Sequence, residues 1–188
     1  SAASDVYKRQ FLTHSHADHT GALPWLLRQG YTGPIISTTP TLQQLPFIVQ
    51  NAVALEQVAP RNEKCNGITW GLSGHCEGSV WLKLDWDDKA ILFSGDYTEQ
   101  SAVYPCDVLR NQVADLAVLD CAYGHDSTLW NDSVTAAAAA VENLLEKTPI
   151  VFLPVPKYGR GLDLLLQIRR RLPYVPVSYT HLRAHETC

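Results

Sequence analysis

The stretch FLTHSHADHTG, Phe11 to Gly21, places His14, His16, Asp18 and His19 within six residues. On extended backbone, alternate side chains point the same way, so His14 and His16 can converge on one point. Asp18 and His19, on the loop beyond, can face a second point nearby. Imidazole nitrogen with carboxylate oxygen is the donor set expected for zinc, with manganese or iron as alternatives. One tetrahedral ion cannot take all four donors and keep a reactive position, whereas two adjacent ions can if further ligands arrive from elsewhere. The competing reading, a surface loop whose histidines coincide by accident, leaves the H-x-H-x-D-H spacing unexplained.

Outward from this run, strand and helix patterns alternate with short connections, the mark of a layered α/β domain. FLTH reads as a buried strand running into the histidine loop. GALPWLLRQG reads as a short helix with Pro24 in its first turn, GPIIST as a strand, and TPTLQQLPFIVQNAVALEQ as a helix broken near Pro46. ITWGLS is a strand delivering the chain to His75. SVWLKLDW alternates Val80, Leu82, Leu84 and Trp86 against Trp81, Lys83 and Asp85, and returns through AILFSGD as a hairpin ending at Asp96. DLAVLDCAYG reads as a buried strand ending at Asp120. Beyond it follow an alanine-rich helix capped by Asp132 or Ser133, a strand PIVFLPV, and a helix GRGLDLLLQIRRRL.

The two ends read differently. Residues 1–10, SAASDVYKRQ, and 177–188, which include VSYTHLRAHET, resemble in-frame translations of transposase adapters used in sequencing libraries, and are set aside. His181 and His185 go with them, leaving five of the seven histidines, three of these in the opening run. The formal net charge of −4 argues against a generally basic nucleic-acid coat, though not against a local basic groove. Cys65, Cys76, Cys106 and Cys121 form no C-x-x-C pair, a pattern of reduced thiols that places the protein in the cytoplasm. No apolar run approaches the ~18 residues of a membrane span, so no membrane association is expected.

The remaining metal ligands should lie at strand ends on the same edge. LSGHCEGS sets His75 in a glycine-rich turn after a strand, and LFSGDYTEQ sets Asp96 at the end of the returning hairpin strand. A strand-end carboxylate beside a glycine suits a bridging ligand. H-x-H-x-D-H followed by SGHCEGS and FSGD resembles the metallo-β-lactamase-fold hydrolases across nearly all of residues 11–176. The resemblance implies that His14, His16 and His75 hold a first metal, Asp18 and His19 a second, and that Asp96 bridges them.

It narrows to the β-CASP branch, the nucleic-acid-processing members, which include ribonuclease J and the endonuclease of messenger-RNA 3′-end processing. SGHCEGS is similar to that branch's A-G-H-x-x-G-S. DLAVLDCAYG is similar to its strand ending in an acidic residue, here Asp120. VFLPVPKYGRGLDLLL is similar to the segment that opens the inserted β-CASP domain, with Asp163 where glutamate is usual. The fold implied is an α/β fragment of the metallo-β-lactamase αββα sandwich over residues 11–128, leading into a truncated α/β β-CASP domain over 129–176. The first strands and two later histidines of the family pattern are missing, so the chain as written is expected to be unstable and inactive.

For the intact protein the resemblance implies phosphodiester hydrolysis of RNA assisted by two divalent ions. Asp18 would assist deprotonation of the attacking water, and Asp120 would orient a ligand or the leaving-group histidine. Lys157 and Arg160, in PKYGRG, are assigned to substrate phosphate. Homo-oligomerisation is not readable from the residues. Two rival readings remain: a hydrolase of the same fold acting on a small ester or thioester, and a non-catalytic scaffold subunit of an RNA-processing complex.

Overall fold

The computed structural model describes residues 9–178. Most of the two adapter-like ends, including His181 and His185, therefore lies outside the described residues. The chain divides after Ser127 into two compact units.

The first unit runs β1 (Gln10–Phe11), α1 (Ala17–Thr20), α2 (Leu23–Arg28), β2 (Ile35–Ser37), α3 (Thr39–Gln44), β3 (Ala52–Ala54), α4 (Leu55–Val58), β4 (Ile68–Leu72), β5 (Val80–Trp86), β6 (Lys89–Phe93) and β7 (Leu116–Val118). The second holds α5 (Trp130–Leu145) and α6 (Gly161–Arg171). The mixed α/β architecture is what the alternating patterns predict, and two sheets are what the resemblance implies.

Strands β1, β2 and β3 form a parallel sheet, with Phe11 opposite Ile36 and Ile36 opposite Val53. Strands β4 to β7 form the second sheet, antiparallel except for the last pair. The core lies between the sheets: Ile36 of β2 clusters with Ile68, Trp70, Val80 and Leu82 of β4 and β5, and with Leu55 of α4. On its other side the parallel sheet is covered by α2 and the chain around α3, through Leu12, Leu23, Ile35, Leu26 and Leu42.

The hairpin turns at Asp87–Asp88, with Asp87 at φ 53°. The alternation along β5 holds for Val80 and Leu82, both buried, but Trp81 on the opposite face is buried as well. Its indole N–H donates to the Asp107 carbonyl at 2.9 Å, so the segment after β6 covers that face.

Four expectations are corrected, the first being the buried strand read in DLAVLDCAYG: β7 spans only Leu116–Val118 and is exposed. The helix expected over TPTLQQLPFIVQNAVALEQ breaks ahead of Pro46 as expected, with Leu45 in extended backbone (φ −62°, ψ 137°), but does not resume as one helix beyond it. The same stretch then supplies β3, paired with β2, before a single turn of α4. PIVFLPV forms no strand: among the described residues the second unit has no sheet to pair with, and Phe152 is 89% exposed. The alanine-rich helix begins at Trp130, so Asp132 sits in its first turn rather than capping it. Helices α5 and α6 pack through Ala138, Val141 and Ile168.

Candidate metal centre

The candidate ligands leave the carboxyl ends of strands that run the same way. Two antiparallel pairings make β4 parallel to β6, and β6 pairs parallel with β7. The segments carrying His75, Asp96 and Asp120 therefore emerge at one edge. The histidine loop after β1 is stitched to that edge by the Val80 N–H, which donates to the Thr13 carbonyl at 2.9 Å. His16 ends the extended stretch, and Asp18 and His19 fall on α1, a single turn that the sequence pattern did not indicate.

His14, His16, His75 and Asp96 each offer a donor atom within 4.8 Å of the others. Asp96 Oδ2 lies 3.2 Å from His75 Nε2 and 3.6 Å from His14 Nε2. His16 Nδ1 lies 3.0 Å from His75 Nε2. The other carboxylate oxygen, Oδ1, faces His19 Nε2 at 3.2 Å, and His19 Nε2 is 3.5 Å from Asp18 Oδ2. Asp96 thus turns one oxygen to His14 and His75 and the other to His19.

These residues fit a cation. Nitrogen and oxygen ligands about 2.0–2.2 Å from a tetrahedral zinc stand roughly 3.3–3.6 Å from one another. The separations around Asp96 Oδ2 match that spacing. His14 is fully buried, and its Nε2 has no hydrogen-bond partner among the described residues. A buried imidazole nitrogen left without a hydrogen-bond partner is costly, and a bound cation would satisfy it in its unprotonated form. Burial, and then the neighbouring His19, His75 and His16, push the His14 imidazole down to about 2, so it stays neutral and able to ligate.

Small hydroxyls hold the ligands in place, and the motif spacing alone did not reveal them. The Thr13 hydroxyl lies 3.2 Å from His14 Nδ1 and 3.4 Å from His19 Nδ1, between the outward nitrogens of both rings. Ser79, last of the SGHCEGS segment, accepts from the His75 and Cys76 N–H groups at 3.2 and 3.0 Å and donates to the Cys76 carbonyl. Its place in that segment was the one signal available. Burial raises the Cys76 thiol to about 11, so it is an inert filler beside His75.

Asp120 does not reach the histidines through its hydrogen bonds. Its carboxylate accepts from the Tyr97 N–H at 3.3 Å and the Ala122 N–H at 2.9 Å, while its own N–H donates to Ser94 Oγ at 2.8 Å. It therefore pins the backbone immediately after Asp96. Lys157 and Arg160 belong to the second unit, where Lys157 stacks over Tyr158 at 4.9 Å and Arg160 over Trp130 at 5.0 Å. His125 is exposed in the loop preceding that unit.

No family model matches the chain. Ribonuclease TTHA0252 of Thermus thermophilus is 24% identical over 191 residues, which cover 88% of this chain and 44% of that protein. Transcription termination factor FttA of Methanosarcina mazei is 25% identical over 207 residues, covering 88% of this chain and 32% of that protein. Endoribonuclease ysh1 of Emericella nidulans is 22% identical over 207 residues, covering 89% of this chain and 23% of that protein. The chain spans less than half the length of these curated relatives. Among solved structures, the DIM-1 metallo-β-lactamase exposed to ceftazidime aligns at 18% identity with a TM-score of 0.36, covering 86% of this chain and 65% of that one. No helix among the described residues is long and apolar enough to cross a membrane.

Proposed function

We propose that the protein is a metal-dependent phosphodiester hydrolase acting on RNA. The observation that carries this reading is the convergence of His14, His16, His75 and Asp96 within 4.8 Å, around a buried imidazole nitrogen that lacks a donor. The homology to RNA nucleases supports RNA as the substrate.

His14, His16 and His75 would hold one divalent ion and Asp18 and His19 a second, with Asp96 shared. Zinc suits the donors, and manganese or iron are the alternatives. Bound there, two such ions supply Lewis-acid charge beside the phosphate and lower the pKa of water. The chain's own contribution is orientation and proton handling. The Asp18 side chain is 76% exposed, and its assigned role is to take a proton from the attacking water. Asp120 fixes the segment carrying Asp96, and Ser79 fixes the turn carrying His75. Lys157 and Arg160 are assigned to substrate phosphate on the PKYGRG segment alone. Four free cysteines among the described residues accord with a reducing, cytoplasmic setting.

The test compares the full-length protein, rather than the chain as written, with its His16→Ala/Asp96→Ala double variant, measuring bound metal per chain and cleavage of an end-labelled RNA. Wild type should retain metal and cleave, and the double variant should do neither. Metal content and RNA cleavage that persist in the double variant would overturn the reading. A small thioester turned over while RNA is left intact would move the substrate to the rival hydrolase class.

A further inference from the structure

We propose that Gln44, at the end of α3, is a positioning residue that holds the two histidine loops together so that His16 meets His75. The proposal rests on the reading of these side chains as metal ligands.

The two loops come from different sheets. The first follows β1 and carries His14 and His16, and the second follows β4 and carries His75. At their base they are joined through the backbone, by Val80 N–H to the Thr13 carbonyl. At their tips that ladder has ended, yet His16 Nδ1 and His75 Nε2 stand only 3.0 Å apart. Gln44 spans that gap, beside a hydrogen bond from the Ser15 backbone to the Cys76 thiol. Ser15, buried between His14 and His16 in sequence, donates its hydroxyl hydrogen to Gln44 Oε1 at 2.6 Å. The Gln44 amide in turn donates from Nε2 to the Glu77 carbonyl at 3.2 Å, two residues past His75.

The helix bearing Gln44 is itself seated on the second loop. Thr38 Oγ1 and Thr41 Oγ1 both donate to the Gly78 carbonyl, at 2.6 and 3.0 Å. The side chain at 44 therefore reaches across from a support already fixed to the loop of His75. A primary amide suits the position because it accepts from a hydroxyl and donates to a carbonyl with the two ends of one planar group. A carboxylate would keep the first bond and set its charge against the Glu77 carbonyl. Leucine, of similar size, would make neither bond.

The experiment titrates zinc against a competing chelator in wild type, Gln44→Leu, Ser15→Ala and the double variant, with thermal melting of each metal-free protein alongside. The ring-proton contact between His16 and His75 is read by NMR without metal. Removal of a partner that orients metal ligands weakens binding by about 10–100-fold. Gln44→Leu should weaken zinc at least tenfold and lose the His16–His75 contact. Ser15→Ala should do the same to a similar degree, and the double variant should be no worse than the worse single one. Unchanged zinc affinity with a lowered melting temperature would make Gln44 merely structural and overturn the proposal. So would losses that multiply in the double variant. If wild type takes up no zinc, the metal reading fails by itself. The metal-free His16–His75 contact then decides: its loss in Gln44→Leu supports the bridge, and its retention refutes it.

Discussion

Gly78→Ala tests the seating of α3 on the loop of His75. Gly78 has φ +78°, a conformation that costs an L residue about 1–2 kcal/mol. A methyl group there would stand 2.7 Å from Thr38 Oγ1, 2.9 Å from Pro40 Cβ and 2.9 Å from the Thr41 nitrogen. Two of those three atoms belong to a proline ring and a helix backbone, which cannot swing aside, and such overpacking costs typically about 1–3 kcal/mol. The displacement also stretches the two threonine hydrogen bonds to the Gly78 carbonyl, each contributing about 1 kcal/mol. A loss of roughly 3–5 kcal/mol is expected, a large share of the ~5–15 kcal/mol that stabilises a domain. Gly30→Ala supplies the control: Gly30 has φ +88°, but nothing lies within 4 Å of the added carbon, so only the backbone cost of about 1–2 kcal/mol applies. Urea unfolding of the metal-free proteins measures both. If Gly78→Ala costs no more than Gly30→Ala, α3 does not rest on this loop as described.

The Asp107 carboxylate accepts from Arg61 Nε and NH2 at 2.7 and 2.8 Å, from Asn62 at 2.9 Å and from the Leu72 N–H at 2.7 Å, where β4 ends on its way to His75. Burial acts to raise this carboxyl, but the bonds from Arg61, Asn62 and Leu72 outweigh it and hold it below the usual carboxylate range. A depressed carboxyl stabilises the fold fully above its unfolded value of about 4 and ceases to as pH falls through its folded value. Asp107→Asn should cost about 1–2 kcal/mol near neutrality, discounted because Arg61 is half exposed, and the gap to wild type should close below about pH 4. A gap that is flat from pH 7 to pH 3 would contradict this. Thr13→Val removes the hydroxyl between the Nδ1 atoms of His14 and His19. It should weaken zinc binding by about tenfold or more while Thr13→Ser retains it, and equal affinities for the two variants would show that the hydroxyl orients neither ring.

The candidate ligands His75 and Asp96 could be placed from the sequence because each follows a strand whose own pattern is strong. ITWGLS and AILFSGD announce where β4 and β6 end, and a strand end is a fixed place in a sheet. The helix-for-strand error at Ala52–Ala54 arose because three small residues carry no period, and their pairing with Ile35–Ser37 is a tertiary fact. Trp81 misled for a related reason. Its alternation marks it as the face opposite Val80, but whether that face meets solvent depends on Asp107, 26 residues later. Gln44 and Thr13 were invisible because a hydrogen bond to a ligand leaves no spacing rule behind. Ser15 and Gln44 are 29 residues apart and belong to segments with unrelated patterns.

Burial across the centre is graded, and the gradient says more than the ligand identities do. The His14 side chain is 0% exposed, His75 9%, Asp96 and His19 30%, and Asp18 76%. The group around His14 is closed in by protein, whereas the group around His19 and Asp18 faces outward. Charge at the closed end is less screened and interacts more strongly than charge at the rim. A cation there would be held by the buried His14 and His75 imidazoles and by His16, with Asp96 as an anionic contact. A cation at the outer position would keep solvent access. Asp96 stands at the boundary with one oxygen turned each way. The backbone immediately after it is held by Asp120, whose carboxylate accepts from the Tyr97 N–H.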